Sequence, residues 1–207
     1  MNPEQLSLYL VTDPVLCGSR GVEGTCRLAL RAGVGTLQLR DKNASTRELI
    51  SMAVILRDLC GDHGALFIVN DRIDVALAIG ADGVHLGQDD MPVHMARKLL
   101  GPDAVIGASV RSPEEAAIAY GEGADYIAAN LIFPTETKTD IGEPLGIGAI
   151  SKLKKASPLP LVAIGGINAS NVDAVRKAGA DGIAVVSAIM TAEDVTEAVR
   201  ILLKRYI

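Results

Sequence analysis

Short apolar runs alternate with amphipathic stretches along the whole chain. The β-rich runs are SLYLVTD (7–13), TLQLRD (36–41), LFIVND (66–71), GVHLG (83–87), VIGASV (105–110), YIAANLIF (126–133), LVAIGG (161–166) and GIAVVS (182–187). Segments of helical periodicity separate them, among them ELISMAVILRDLC (48–60), PEEAAIAYGEG (113–123) and NVDAVRKAG (171–179). Strand and helix in alternation predict a parallel sheet. Several of the runs are continuously apolar, as strands covered on both faces must be.

An internal echo sharpens this reading. AGVGTLQL (32–39), IGADGVHL (79–86), EGADYIAA (122–129) and AGADGIAV (178–185) each place a glycine at a helix end, then small residues, then a strand. Glycine there adopts the left-handed conformation that closes a helix. These are the second, fourth, sixth and eighth strands. A repeat over two strand–helix pairs, with eight strands in all, predicts a single α/β domain over 1–207 folded as a (β/α)8 TIM barrel. An open doubly wound sheet is the alternative, and no G-x-G-x-x-G follows the first strand to favour it.

Composition adds exclusions. A chain of 207 residues with 49% hydrophobic content supports one sizeable core. Twenty basic against 25 acidic residues give a net charge of −5, and 3% of residues are aromatic, so no nucleic-acid partner is expected. Neither a signal peptide nor a long apolar span is visible, so no membrane partner is expected and the location is read as cytoplasmic. Cys17, Cys26 and Cys60 lack C-x-x-C spacing and read as reduced, structural thiols. Barrels of this kind often pair, so a homodimer is entertained.

In such a barrel the active site lies at the C-terminal ends of the strands. There this sequence concentrates polar residues. The second strand ends in Gln38, Arg40 and Lys42, which share a face if the strand stays extended. The third ends in Asn70-Asp71, the fourth runs to Gln88-Asp89-Asp90, and the fifth ends in Ser109 and Arg111. The sixth delivers LIFPTETKTD (131–140), with Thr135, Thr137 and Lys138 beyond its apolar end. The seventh ends in Gly165-Gly166 and the eighth in Val186-Ser187. Each has a structural reading. Arg-x-Lys is usually a solvated edge, Asn-Asp a turn or cap, and one of Asp89 and Asp90 a start for the next helix. His85 reads as a core or hydrogen-bonded histidine, and His63 and His94 as surface residues. Convergence of all the polar termini on one barrel end argues for a site instead.

The chemistry of the set is specific. Cations facing two carboxylates suit a diphosphate bridged by Mg²⁺. The Gly165-Gly166 pair, with a helix starting near Ser170, suits a second phosphate held by backbone amides. No triad or dedicated base is present, which favours leaving-group stabilisation over proton abstraction.

The motifs TLQLRDK, FIVNDR, DGVHLGQDD, IGASV, IFPTETK, VAIGGI and AVVSAI, in this order and spacing, resemble thiamine phosphate synthases over essentially the whole chain. The resemblance implies an enzyme that couples a hydroxymethylpyrimidine diphosphate to a thiazole phosphate, with Mg²⁺ as cofactor and a dissociative mechanism. It implies that Gln38, Arg40, Lys42 and Asn70 hold the pyrimidine diphosphate, with Ser109 near the ring and Lys138 on the diphosphate. Asp71 and Asp90 would ligate the metal. Thr135 and Thr137 would meet the thiazole, and Gly166, Val186 and Ser187 its phosphate. One departure stands out: Ala128-Ala129-Asn130-Leu131 replaces the family's glycines and proline, placing Asn130 where it could enter the pocket. A thiazole tautomerase and a non-catalytic phosphate binder are the rival readings. The polar segment TETKTDIGEP (135–144) is the candidate lid.

Overall fold

The computed structural model describes residues 2–135 and 142–206. Eight strands and nine α-helices alternate among them, in the order β1 (Leu8–Val11), α1 (Gly21–Ala32), β2 (Thr36–Leu39), α2 (Thr46–His63), β3 (Leu66–Asn70), α3 (Ile73–Ile79), β4 (Gly83–Leu86), α4 (Val93–Leu100), β5 (Val105–Val110), α5 (Pro113–Gly121), β6 (Tyr126–Asn130), α6 (Gly148–Ala156), β7 (Leu161–Ile164), α7 (Val172–Lys177), β8 (Gly182–Val185), α8 (Ser187–Met190) and α9 (Val195–Tyr206). The strands pair in sequence order, all parallel, and β8 closes on β1. This is the expected (β/α)8 barrel.

The helix ends follow from local chemistry. Ser45 and Glu48 form a reciprocal capping box at the start of α2, satisfying backbone donors that the first turn leaves free. The echoed glycines Gly33, Gly80, Gly123 and Gly179 all have positive φ. The aspartates behind them do a second job. Asp82, Asp125 and Asp181 each accept a strand N–H at 2.7 Å, from Phe67, Ile106 and Leu161 respectively. Each returns its own N–H to the carbonyl of the same residue. The even strands are thus clasped at both points to the odd strands before them. Gly35 occupies the equivalent place in the first unit, where a Cβ would lie 2.5 Å from the Gln5 carbonyl oxygen. No side chain fits there.

Strand residues alternate between two cores. One, between the strands and the surrounding helices, includes Leu10, Leu37, Phe67 and Ile106. The other fills the barrel, with Leu6, Tyr9, Leu66, Ile68, Val105, Tyr126, Val162 and Ala184. Because side-chain direction has period two, Gln38, Asn70, His85, Ser109 and Asn130 share the inward parity of that second core.

Candidate active site

Two adjoining cavities open at the C-terminal end of the barrel. Arg40, Asn70, His85, Ser109 and Asn130 line both. The deeper cavity is walled by Val11, Ala128, Val162, Ile164 and Ala184 and ends on Gly166, Val186 and Ser187. The outer one adds Lys42, Asp71, Asp89, Asp90, Gln88 and Arg111. Every described residue expected at the site lines one of these cavities. Thr135 lies on the deeper one, whereas Thr137 and Lys138, with most of the candidate lid, lie outside the described residues.

Several local details differ from expectation. β2 stops at Leu39, so Arg40 and Lys42 reach the cavity from a turn and not from an extended strand. Thr12 fixes that turn, its Oγ1 accepting from the Arg40 N–H at 2.9 Å and donating to the Arg40 carbonyl at 3.1 Å. Asp41 accepts from the N–H groups of Asn43 and Ala44, which is turn chemistry. Neither Asp89 nor Asp90 caps α4, whose N-cap is Pro92. The Asp90 carboxylate instead accepts from the Gly87 N–H at 2.7 Å, bracing the turn beyond β4. Asp71 does not cap α3 either. It sits at φ 60° with its N–H on the His85 carbonyl at 2.9 Å, tying the ends of β3 and β4 together.

β6 ends at Asn130, not at Phe133, and the Asn130–Leu131 peptide is cis. The chain still follows β7, with the Ile132 and Phe133 N–H groups on the carbonyls of Ile164 and Gly165. The glycine pair makes this approach possible. A Cβ on Gly165 would sit 2.2 Å from Leu131 Cδ1, and one on Gly166 2.4 Å from the Pro134 carbonyl oxygen. The helix expected near Ser170 is the six-residue α7, which begins at Val172. The Asn171 and Asn168 side chains that precede it bond back to Gly166. The short helix at the cavity is α8, which starts at Ser187 directly after β8. A short extra helix after the last strand is a recurrent phosphate-binding place in barrels of this type.

Arg111 was legible as a strand-end cation, and its role is now visible. It donates to the carbonyls of Asn130 at 2.9 Å and Glu143 at 2.7 Å, joining β5 to both sides of the segment after β6. Tyr9 and Tyr126 are cavity residues that pattern alone reads as core. Both are fully buried, and burial holds both phenol pKa values above their ordinary range. His85 is hydrogen-bonded inside the barrel, through Nδ1 to Tyr126 and through Nε2 to Ser109.

The family model described as thiamine monophosphate synthase matches residues 8–189. A thiamine-phosphate synthase of Methanoculleus marisnigri is 50% identical over 96% of this chain and 94% of its own. One from Pyrococcus horikoshii is 49% identical over 94% of this chain and 92% of its own. The solved thiamine phosphate pyrophosphorylase of Pyrococcus furiosus superposes with a TM-score of 0.89 at 44% identity, covering 99% of this chain and 96% of that one. Matched by that family model over most of its length and by these relatives over nearly all of it, the chain belongs to the thiamine monophosphate synthase family.

Proposed function

We propose that this enzyme joins 4-amino-2-methyl-5-hydroxymethylpyrimidine diphosphate to a methyl-thiazole phosphate, forming thiamine phosphate and releasing pyrophosphate. One observation carries the reading of the site: an apolar-walled cavity meets a charged one at Arg40, Asn70, His85, Ser109 and Asn130. The heterocycles suit the first and the diphosphate the second, which puts the bond to be broken at the junction. Arg40, Lys42 and Arg111 face the departing charge together with Lys138, which the family motif adds. The thiazole phosphate suits Gly166, Val186 and Ser187, with Thr135 toward its ring and Thr137 added by the family motif alone.

Asp71 and Asp90 fit a Mg²⁺ ion. Among the described residues no group of three or more His, Cys, Asp or Glu side chains could hold a metal. Mg²⁺ in such sites is held by one or two carboxylates and completed by substrate phosphate oxygens, and Asp71 and Asp90 on the outer cavity are the pair that would supply them. When bound, it would offset diphosphate charge in ground state and transition state.

The proposed reaction needs no base. The bond from the pyrimidine methylene carbon to the diphosphate oxygen breaks, and its electron pair leaves with pyrophosphate. The thiazole nitrogen then forms the new C–N bond with its lone pair. The residues hold the two rings in line, neutralise the leaving group and exclude water. The test is a coupling assay with both substrates, Mg²⁺ and a chelator control, repeated with Asp71→Ala. Chelator-sensitive thiamine phosphate, lost in Asp71→Ala, is expected. Product that persists through both treatments would sink the metal assignment. No product from intact substrates would shift the activity to a thiazole tautomerase or a phosphate binder.

A further inference from the structure

Five polar side chains form one unbroken hydrogen-bonded chain across the barrel interior. The Gln38 amide donates to the Tyr9 hydroxyl at 2.6 Å, and the Tyr9 and Tyr126 hydroxyls are 2.9 Å apart. Tyr126 meets His85 Nδ1 at 3.0 Å, and His85 Nε2 meets Ser109 Oγ at 2.9 Å. The family motif gives substrate-holding roles to the two ends, Gln38 and Ser109; His85 lies at the junction of the cavities, and Tyr9 and Tyr126 have no role in the proposed activity. Gly107 makes room for the middle. It lies beside both Tyr126 and His85 in the sheet register, and a Cβ there would fall 2.1 Å from Tyr126 Cζ. The His85 and Tyr126 rings stack at 5.6 Å, which keeps the imidazole aligned with its partners.

Each central group both donates and accepts: a phenol through its hydroxyl, a neutral imidazole through its two nitrogens. Such a chain has two self-consistent polarities. In the first, Gln38 donates to Tyr9, Tyr9 to Tyr126, Tyr126 to Nδ1, and Nε2–H to Ser109. The Ser109 proton is then left for the cavity. In the second, every bond reverses. Ser109 donates to Nε2, Nδ1–H donates to Tyr126, and Tyr9 donates to the Gln38 side-chain carbonyl. Protons balance, since both states carry one on each hydroxyl and one on the ring, and only the ring nitrogen bearing it differs. A mixed state would set two donors or two lone pairs against each other among buried side chains, at the cost of an unsatisfied polar group.

We propose that Tyr9, Tyr126 and His85 are positioning residues that couple Gln38 to Ser109, so that the two ends of the chain switch together. The cavity then always offers opposite hydrogen-bonding characters at those ends: acceptor at Gln38 with donor at Ser109, or the reverse. For the identity of the ligand this rests on the proposed activity. An aminopyrimidine carries both an amino donor and ring-nitrogen acceptors, and is the class of ring that such a pair selects.

The His85 tautomer reports the polarity directly. The chain has three histidines, so ¹⁵N NMR of the ligand-free, histidine-labelled enzyme at pH 8 gives few signals to assign. Gln38→Glu places an acceptor-only carboxylate at one end. It is expected to move the His85 proton to Nδ1 when Tyr126 is present and to leave the tautomer unchanged in Tyr126→Phe. Tyr9→Phe breaks a second link and reads the same coupling should Tyr126→Phe not fold. In the coupling assay, Gln38→Glu and Ser109→Ala together should depart from the product of their separate effects on kcat/KM by about tenfold, and become multiplicative in Tyr126→Phe. A doubly protonated His85 overturns the proposal. So does a tautomer that ignores Gln38→Glu, or one that responds equally with the chain broken. A wild-type enzyme inactive in coupling, but with the tautomer response intact, sinks the function and leaves the relay standing.

Discussion

Truncating the three clasping aspartates separately tests the account of barrel closure. Asp82→Ala, Asp125→Ala and Asp181→Ala each remove an oxygen that accepts a strand N–H at 2.7 Å. The donors belong to Phe67, Ile106 and Leu161, all fully buried residues, so an abandoned N–H costs about 1–3 kcal/mol. The carboxylates are partly solvated at the rim, which lets water replace some of the loss and favours about 1–2 kcal/mol. The sites should not be equal. Asp125 also binds Arg97 at 2.6 Å, and Arg97 in turn holds the carbonyls of Gly101, Ala104 and Gly123. Asp181 binds Lys154 at 2.6 Å, in a pair about one-third exposed on each side, which adds little. The expected order of destabilisation is Asp125, then Asp181, then Asp82. Asp→Asn keeps an acceptor oxygen and should recover most of the loss. Urea unfolding with unchanged slope is the assay. If all three alanine variants stay within about 0.5 kcal/mol of wild type, or asparagine does no better than alanine, the two-point clasp is not what closes the sheet.

Two further outcomes follow from geometry and burial. Gly166→Ala, at φ 63° with a Cβ 2.4 Å from the Pro134 carbonyl oxygen, should push Pro134 and Thr135 out of place. It should raise the KM for the thiazole phosphate more than that for the pyrimidine diphosphate, read by steady-state kinetics. Cys26 is pushed by burial from its ordinary 9.0 up to about 12, and burial also raises Cys60, Tyr9 and Tyr126. These groups stay neutral when folded and ionise more easily when unfolded. Their stabilisation is therefore complete below about pH 9 for the cysteines and about pH 10 for the tyrosines, and is lost above those values at about 1.4 kcal/mol per pH unit per group. Thermal melts at pH 8 and pH 10.5 should show the drop, while a thiol reagent at pH 8 should label the native cysteines slowly.

The barrel was legible because its signals are local and repeated. Four helix-ending glycines at matching places and eight short apolar runs leave few topologies. The strand-end residues were legible because the fold aims them: Asn70, Asp71, Asp90 and Ser109 fall at the cavity once the strands are placed. Their partners were not. Asp90 resembles a helix cap in sequence, and only the turn beyond β4 shows that its carboxylate bonds to Gly87. β6 was read three residues too long because Leu131, Ile132 and Phe133 are apolar and buried or half-buried, as strand residues are. Tyr9 and Tyr126 look like core residues because their rings are core. Their hydroxyls find partners more than 25 residues away, which no local pattern encodes.

The echoed units also show how the barrel keeps stability and chemistry apart. Each Ala-Asp step ends at the strand N-terminus, where the carboxylate is spent on backbone donors of the preceding strand. Three to five residues later the same strands turn side chains to the cavities. On β4 the two ends are Asp82 and His85, on β5 and β6 the Ile106–Asp125 clasp and the pair Ser109 and Asn130. The strands are short, four to six residues each, so the bottom of the barrel must be held rigidly for the top to be placed accurately. Gly35 is the informative exception. It keeps the backbone half of the clasp, its N–H on the Leu8 carbonyl at 3.0 Å, but no side-chain half because Gln5 crosses there, and Gln5 itself reaches the Gly64 carbonyl at 3.0 Å and accepts the Thr36 hydroxyl on its own carbonyl at 2.8 Å. The N-terminal segment thus does for β2 what an aspartate does for β4, β6 and β8. The strand it braces is the one that presents Gln38 and leads into Arg40.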